Sequence, residues 1–198
     1  MTTIPPPMFS FPLSSGEALV PRTPLITDAY HALLVANQER LARWEAWAIA
    51  PPVLTETRSF LEANARNWLA GLELPVAIAV RDQGPWRLAG AVSLHITPYS
   101  RSGEIGYWID GGHEGRGLAS RAVSAVLDHG FGALGIERVS LHTEPANERS
   151  RALARRLGFV EEGVGPGRQR LERERRRLRQ IAANDLDLSG FEATKQLF

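Results

Sequence analysis

The sequence predicts an α/β (α+β) fold, one mixed central sheet with helices on both faces. Three observations carry that expectation. The stretch Gly103–Ala119 (GEIGYWIDGGHEGRGLA) runs from an alternating strand, Glu104–Asp110, through a glycine-rich turn into an amphipathic helix, and the strand Arg138–Glu144 follows. Two earlier strand patterns, Pro75–Arg81 and Trp86–Ile96, flank the turn Asp82-Gln83-Gly84-Pro85 and lead into the first of these strands as an antiparallel run. The order along the chain is strand, helices, three strands, helix, strand, helix, with no internal repeat.

Taken in order, residues 1–16 read as an irregular arm, because prolines recur through MTTIPPPMFSFPLSSG. Glu17–Arg22 reads as the first strand, bounded by Pro21 and Pro24. Thr27-Asp28 predict a helix cap before Ala29–Asn37, and a second helical stretch is expected over Glu39–Ile49 until Pro51-Pro52 break it. Thr55, Arg58, Leu61, Ala65, Trp68 and Leu69 trace a further helix that stops at Gly71. Leu118, Ala119, Ala122, Val123, Val126, Leu127 and Leu134 mark one face of the helix after the glycine turn. A short helix follows Asn147 and ends at Leu157-Gly158-Phe159.

Composition fits one enzyme-sized domain. The 198 residues are enough for one sizeable core and too few for two ordinary ones. Hydrophobic residues make up 43% and charged residues 23%, as in ordinary globular chains. With no cysteine, a disulfide framework, a thiolate metal site and a cysteine nucleophile are all excluded. No apolar run reaches the ~20 residues of a membrane helix, and no basic stretch precedes apolar residues at the N-terminus, so a cytoplasmic protein with no membrane contact is expected. The five histidines include His31, His95, His113 and His129, which show no metal spacing; no metal is expected.

The glycine turn carries the chemistry. Where a helix begins, its first N–H groups lack partners within the helix and its dipole is positive, which suits a phosphate or pyrophosphate. Gly115 and Gly117 let such a ligand approach the backbone, and Arg116 adds a charged donor.

The succession EIGYWI, the turn ending Gly115-Arg116-Gly117-Leu118-Ala119, Asn147-x-x-Ser150 and Arg155-x-Leu157-Gly158-Phe159 resembles the GCN5-related N-acetyltransferase (GNAT) superfamily, and within it the RimJ and RimL type of ribosomal-protein N-acetyltransferases. The resemblance covers Gly90–Glu162 well and Glu17–Arg81 loosely, and it fades after Gly163. It implies a single acyltransferase domain over 17–198, with a sheet of about six or seven strands and a central parallel pair that splays apart. It also implies acetyl-CoA as cosubstrate. The pantetheine would pair with backbone of Tyr107, Trp108 and Ile109, and the pyrophosphate would rest on Gly115, Arg116, Gly117, Leu118 and Ala119. Asn147 would contact the pantetheine or simply cap its helix. Ser150 would lie near the thioester sulfur as proton donor, and Glu104 would act as base unless it is an ordinary strand-edge charge. The N–H of Trp108 would hold the oxyanion. His142, on one strand face with Glu144, is an alternative base or a sheet histidine. Trp44, Trp47 and Trp68 fall in the N-terminal helices that wall the family's acceptor groove.

Two features depart from the family pattern. Glu114 stands where Gln or Arg is usual, and a carboxylate there repels pyrophosphate unless it turns away or pairs with Arg116 or Arg121. Arg168–Gln180 (RQRLERERRRLRQ) carries seven arginines against two glutamates and reads either as a hairpin turning near Arg176-Arg177 or as a charged helix. That segment, Arg168–Arg179 above all, is either a solvated surface or an electrostatic contact to RNA, a ribosome or an acidic peptide. The expected activity is transfer of an acetyl group to a primary amine, on a protein N-terminus or a small molecule. A charged-tRNA donor and a non-catalytic CoA-ester sensor are the alternatives, and a homodimer is compatible with an exposed sheet edge.

Overall fold

A computed structural model describes residues 10–165 and 168–174. Eight strands form one sheet: β1 (Phe11–Ser14), β2 (Glu17–Pro21), β3 (Glu73–Val80), β4 (Arg87–Thr97), β5 (Ser102–Ile109), β6 (Arg138–Thr143), β7 (Val160–Gly165) and β8 (Arg168–Glu174). Their spatial order is β1-β2-β3-β4-β5-β6-β8-β7. Helices α1 (Thr27–Leu41) and α2 (Leu54–Leu69) cover one face, and α3 (Leu118–Gly132) with α4 (Glu148–Arg156) the other. Among the described strands β5–β6 is the one parallel pair, joined through α3.

Alternation along β5 decides what faces each layer. Ile105, Tyr107 and Ile109 pack into the core under α3, with Leu118, Val123, Leu127 and Phe131. Trp108 turns the other way, into the core under α1 and α2 with Tyr30 and Leu61. The expected apolar face of α3 is present, except that the helix ends at Gly132, so Phe131 fills the core while Leu134 is exposed.

Three local expectations change. Phe11–Ser14 is an edge strand paired with β2, not irregular arm, because β2 leaves its outer edge open to it. Ile26, not Thr27, precedes α1, and the Thr27 hydroxyl donates to the Pro24 carbonyl at 2.7 Å. Glu39–Ile49 does not extend as a helix. The chain reverses after Leu41 through a short turn at Ala46–Ala48, held where the Gln38 amide donates to the carbonyls of Ala48 and Ile49. Of the two readings open for the arginine segment, Arg168–Glu174 takes the strand: β8 sits between β6 and β7, and Glu172 lies beneath the guanidiniums of Arg138 and Arg170. The rest of the arginine segment, including Arg176-Arg177, lies outside the described residues. Among the described residues no helix is long and apolar enough to cross a membrane.

Candidate active site

β5 and β6 pair only from Ser102↔Arg138 to Glu104↔Ser140, although β5 continues to Ile109 and β6 to Thr143. Beyond Glu104 the two strands therefore diverge, and a cleft opens between them. The cleft ends at two turns: Gly111–Gly117 after β5 and Glu144–Asn147 after β6. Glu104 stands at the fork, where its carboxylate meets His142 Nδ1 at 3.2 Å across the strand pair. Both candidate bases thus meet at one point.

Of the three β5 residues that the sequence suggested, the backbone offers two to the cleft. The Asp110 N–H donates to the Ala89 carbonyl at 2.8 Å, and the Trp108 carbonyl lies against Gly90, where a side chain would collide with it. In an antiparallel ladder a residue directs its N–H and C=O the same way and its neighbour directs them oppositely. Trp108 therefore serves β4, while Tyr107 and Ile109 address the cleft. The Ile109 carbonyl accepts from Arg40 at 3.4 Å on that side. The indole of Trp108 has a different place: it meets the Tyr30 ring edge-on at 6.1 Å, under α1.

At the far end of the cleft, Gly115 (φ 75°) and Gly117 (φ 72°) take left-handed conformations, and Gly117 caps α3. These two positions admit no ordinary side chain without strain. The first helical bond runs from the Arg121 N–H to the Gly117 carbonyl, so the N–H groups just ahead of it, those of Leu118 and Ala119 included, point out of the helix end. Asp110 braces the turn, accepting from Asn37 at 2.8 Å, from the Gly112 N–H at 3.2 Å and from His113 at 2.9 Å. Burial works to raise its pKa, but these hydrogen bonds outweigh it and hold the carboxyl below its ordinary value. Glu114 pairs with neither Arg116 nor Arg121. It is gripped by Arg40 of α1 and Arg149 of α4, while Arg121 binds Glu17 at 2.6 Å.

On the other bank, the Asn147 side chain accepts from the Ser150 N–H at 3.1 Å and so caps α4. Tyr107 donates its hydroxyl to Ser150 Oγ at 3.1 Å across the cleft. Burial pushes the Tyr107 phenol above its ordinary pKa despite that bond, which keeps it protonated.

On the α1–α2 face a cavity of about 470 Å³ adjoins β5 at Gly106 and Trp108. Its walls are largely apolar (Tyr30, Leu34, Trp47, Val53, Phe60), and Glu45 and Glu56 also line it. Trp47 is the one tryptophan of Trp44, Trp47 and Trp68 in that lining. Arg22 is buried in the cavity floor and bonds Asn64 at 2.8 Å, Tyr30 at 3.3 Å, Glu73 at 3.2 Å and Ser93 at 2.5 Å. Sequence reasoning missed this group. A charge closing an apolar strand was visible at Arg22, but its partner lies 51 residues away. His95 also lines the cavity, His31 joins α1 to Thr57 at 3.1 Å, and among the described residues no group of three side chains is placed to hold a metal.

Comparison with known proteins bears on this geometry. The family model of the GNAT acetyltransferase domain matches residues 19–160. YdaF of Bacillus subtilis, whose assignment as a ribosomal N-acetyltransferase is provisional, is 34% identical over 66% of this chain and 70% of its own. The ribosomal-protein-serine acetyltransferase of Escherichia coli is 30% identical over 67% and 73%. Among solved structures, RimL, a ribosomal alpha-N-protein acetyltransferase solved with coenzyme A, superimposes with TM-score 0.76 at 24% identity, over 84% of this chain and 98% of that one. RimJ of Mycobacterium smegmatis, solved with a CoA disulfide, gives TM-score 0.68 at 25% identity, over 84% and 89%.

Proposed function

This chain belongs to the GNAT acetyltransferase family, and from that premise we propose that it transfers the acetyl group of acetyl-CoA to the N-terminal amine of a protein or peptide. The observation that carries the proposal is the divergence of β5 from β6 immediately beyond Glu104, which leads a cleft from a carboxylate–imidazole pair to the glycine turn of α3. The order of groups along the cleft suits an extended thioester arm with a pyrophosphate at its end: the cleft-facing backbone of Tyr107 and Ile109, then the donors of Gly115, Gly117, Leu118 and Ala119, with Arg116 beside them. Glu114 does not oppose that fit, since Arg40 and Arg149 leave the trio with a net positive charge.

The chemistry follows from the residues at the fork. Glu104, oriented by His142, removes the proton from the incoming ammonium, directly or through water. The neutral amine attacks the thioester carbonyl carbon, forming the C–N bond and placing negative charge on oxygen. We assign the Tyr107 N–H, rather than that of Trp108, as the donor to that oxyanion. Collapse breaks the C–S bond while the nitrogen releases its second proton to solvent; Ser150 passes its proton to the departing thiolate and is reprotonated from solvent in turn. Tyr107 donates to Ser150 Oγ, which leaves the serine's own hydrogen free for sulfur.

The N-terminal acceptor is supported by the relatives, the ribosomal-protein-serine acetyltransferase of Escherichia coli and the ribosomal alpha-N-protein acetyltransferase RimL. Calorimetric titration with acetyl-CoA and a pH–rate profile of Glu104→Gln test the proposal together. Stoichiometric binding, and a rate deficit that grows as pH falls, are expected. No binding at roughly millimolar acetyl-CoA, or a profile parallel to wild type, refutes the donor and the base respectively. In the first case a charged-tRNA donor is the reading to try next.

A further inference from the structure

Resting on that N-terminal reading, we infer that the cavity under α1 and α2 selects the acceptor's first residue, and that this residue is a large apolar or aromatic one. Position comes first. Gly106 faces the cavity two residues along β5 from Glu104, on the same strand face, and a side chain there would meet nothing within 4 Å. An amine held at Glu104 therefore has an open path for its own side chain into the cavity.

Size and lining come next. About 470 Å³ bounded by Tyr30, Phe60, Trp47, Trp108, Leu34 and Val53 leaves a hydroxymethyl group with few neighbours, whereas a phenyl or isobutyl group gains contacts on several sides. Phe60 stacks over Tyr30 at 6.5 Å and remains 45% exposed, so its ring presents surface to an occupant.

Charge then excludes the alternatives. Arg22, the cation in the floor, has a partner at Nε, at Nη1 and at Nη2, and Glu73 cancels its charge. Glu56 adds negative charge to the lining. An acidic first residue meets like charge and no unengaged arginine; a small polar one forfeits the apolar contacts.

The test is a set of otherwise identical peptides beginning with Phe, Leu, Ser or Asp, assayed for kcat/KM by CoA release at saturating acetyl-CoA, with 2-phenylethylamine as a non-peptide arm. Differences of several buried carbons in such pockets amount to factors on the order of a hundred. Phe and Leu peptides are expected to exceed Ser by about that factor and Asp by more. In Phe60→Ala the Phe-to-Ser ratio is expected to fall at least tenfold. A Ser peptide turned over as well as the Phe peptide, or a ratio unmoved in Phe60→Ala, overturns this inference and leaves the acetyltransferase reading standing. Turnover on no peptide by a protein that binds acetyl-CoA overturns the N-terminal reading and this inference with it. Higher kcat/KM for the free amine than for the Phe peptide overturns the peptide as occupant.

Discussion

Replacing Arg22 with Met tests the part of the fold that sequence reading missed. The guanidinium is 5% exposed and its partner Glu73 1%, so solvent screens the pair very little. Methionine keeps the aliphatic bulk but leaves the Glu73 carboxylate facing only the amides of Asn64 and Asn67, and removes the donors to Ser93 and Tyr30. Breaking a buried pair from one side costs about 3–5 kcal/mol. A domain of this size is stable by about 5–15 kcal/mol, and each kilocalorie is about 2–4 °C in Tm, so a fall of roughly 6–20 °C is expected. Urea denaturation followed by tryptophan fluorescence measures the free-energy loss, and a thermal melt the fall in Tm. The companion Arg22→Met/Glu73→Leu removes both charges and is expected to recover most of the loss, because an apolar pair of similar bulk replaces a desolvated ionic one at little net cost. A single variant within about 1 kcal/mol of wild type, or a double variant worse than the single, refutes the account of the cavity floor as a charge-balanced network.

Tyr107→Phe removes the hydroxyl that donates to Ser150. kcat is expected to drop by about ten- to a hundredfold with KM for acetyl-CoA little changed, since general acid catalysis is worth about 10²–10⁴ in full; an unchanged kcat excludes Tyr107 from proton delivery. Asp110 and Glu17 both hold pKa values below the ordinary carboxylate range, Asp110 where three hydrogen bonds outweigh burial and Glu17 through its bond from Arg121. Their stabilisation is complete above the unfolded values near 4 and is lost as pH falls through the lower folded values. Urea midpoints are therefore expected to fall below about pH 4, less steeply in Asp110→Asn. A midpoint curve for that variant parallel to wild type contradicts the assignment. Glu114→Gln removes a negative charge beside the α3 turn while Arg40 and Arg149 stay, so calorimetry is expected to show acetyl-CoA bound several-fold more tightly, with steeper salt dependence. Weaker binding would mean that Glu114 is needed to aim the arginines.

How far the sequence could be read depended on whether a signal was local. The strand Glu104–Asp110, the glycine turn and α3 were legible because alternation, helical periodicity and the absent Cβ of Gly115 and Gly117 are properties of neighbouring residues. Phe11–Ser14 was not, since Pro12 and Ser14 hide a strand that gains its support from the edge of β2 and from Leu13 against the core. The helix expected over Glu39–Ile49 has good propensity throughout, yet the Gln38 amide gains two carbonyls only if the chain turns back. The arginine-rich β8 shows the same override of local preference by sheet pairing. At the site, residue types at Glu104, Asn147 and Ser150 were readable, whereas the choice between Tyr107 and Trp108 depended on which side of β5 faces β4. That side is fixed by the Asp110–Ala89 bond and the approach of Trp108 to Gly90, contacts across strands that no spacing within β5 reveals.

The position of Glu114 links the two halves of the proposed reaction. The last turns of α1, which wall the cavity proposed for the acceptor, also hold the turn proposed for the donor: Asn37 bonds Asp110 and the Gly111 N–H, and Arg40 reaches the Ile109 carbonyl and Glu114. Glu114 extends the chain of contacts to Arg149 on α4, one residue before Ser150. A carboxylate in this position is therefore the middle of a bridge between two guanidiniums that flank the cleft, and the charge it contributes is more than balanced. Gln could bond one of these arginines but not hold both as ion pairs, and Arg would repel them. Arg40 and Arg149 thus accommodate a carboxylate at Glu114, and through it the geometry of the α3 turn depends on the helix that walls the cavity.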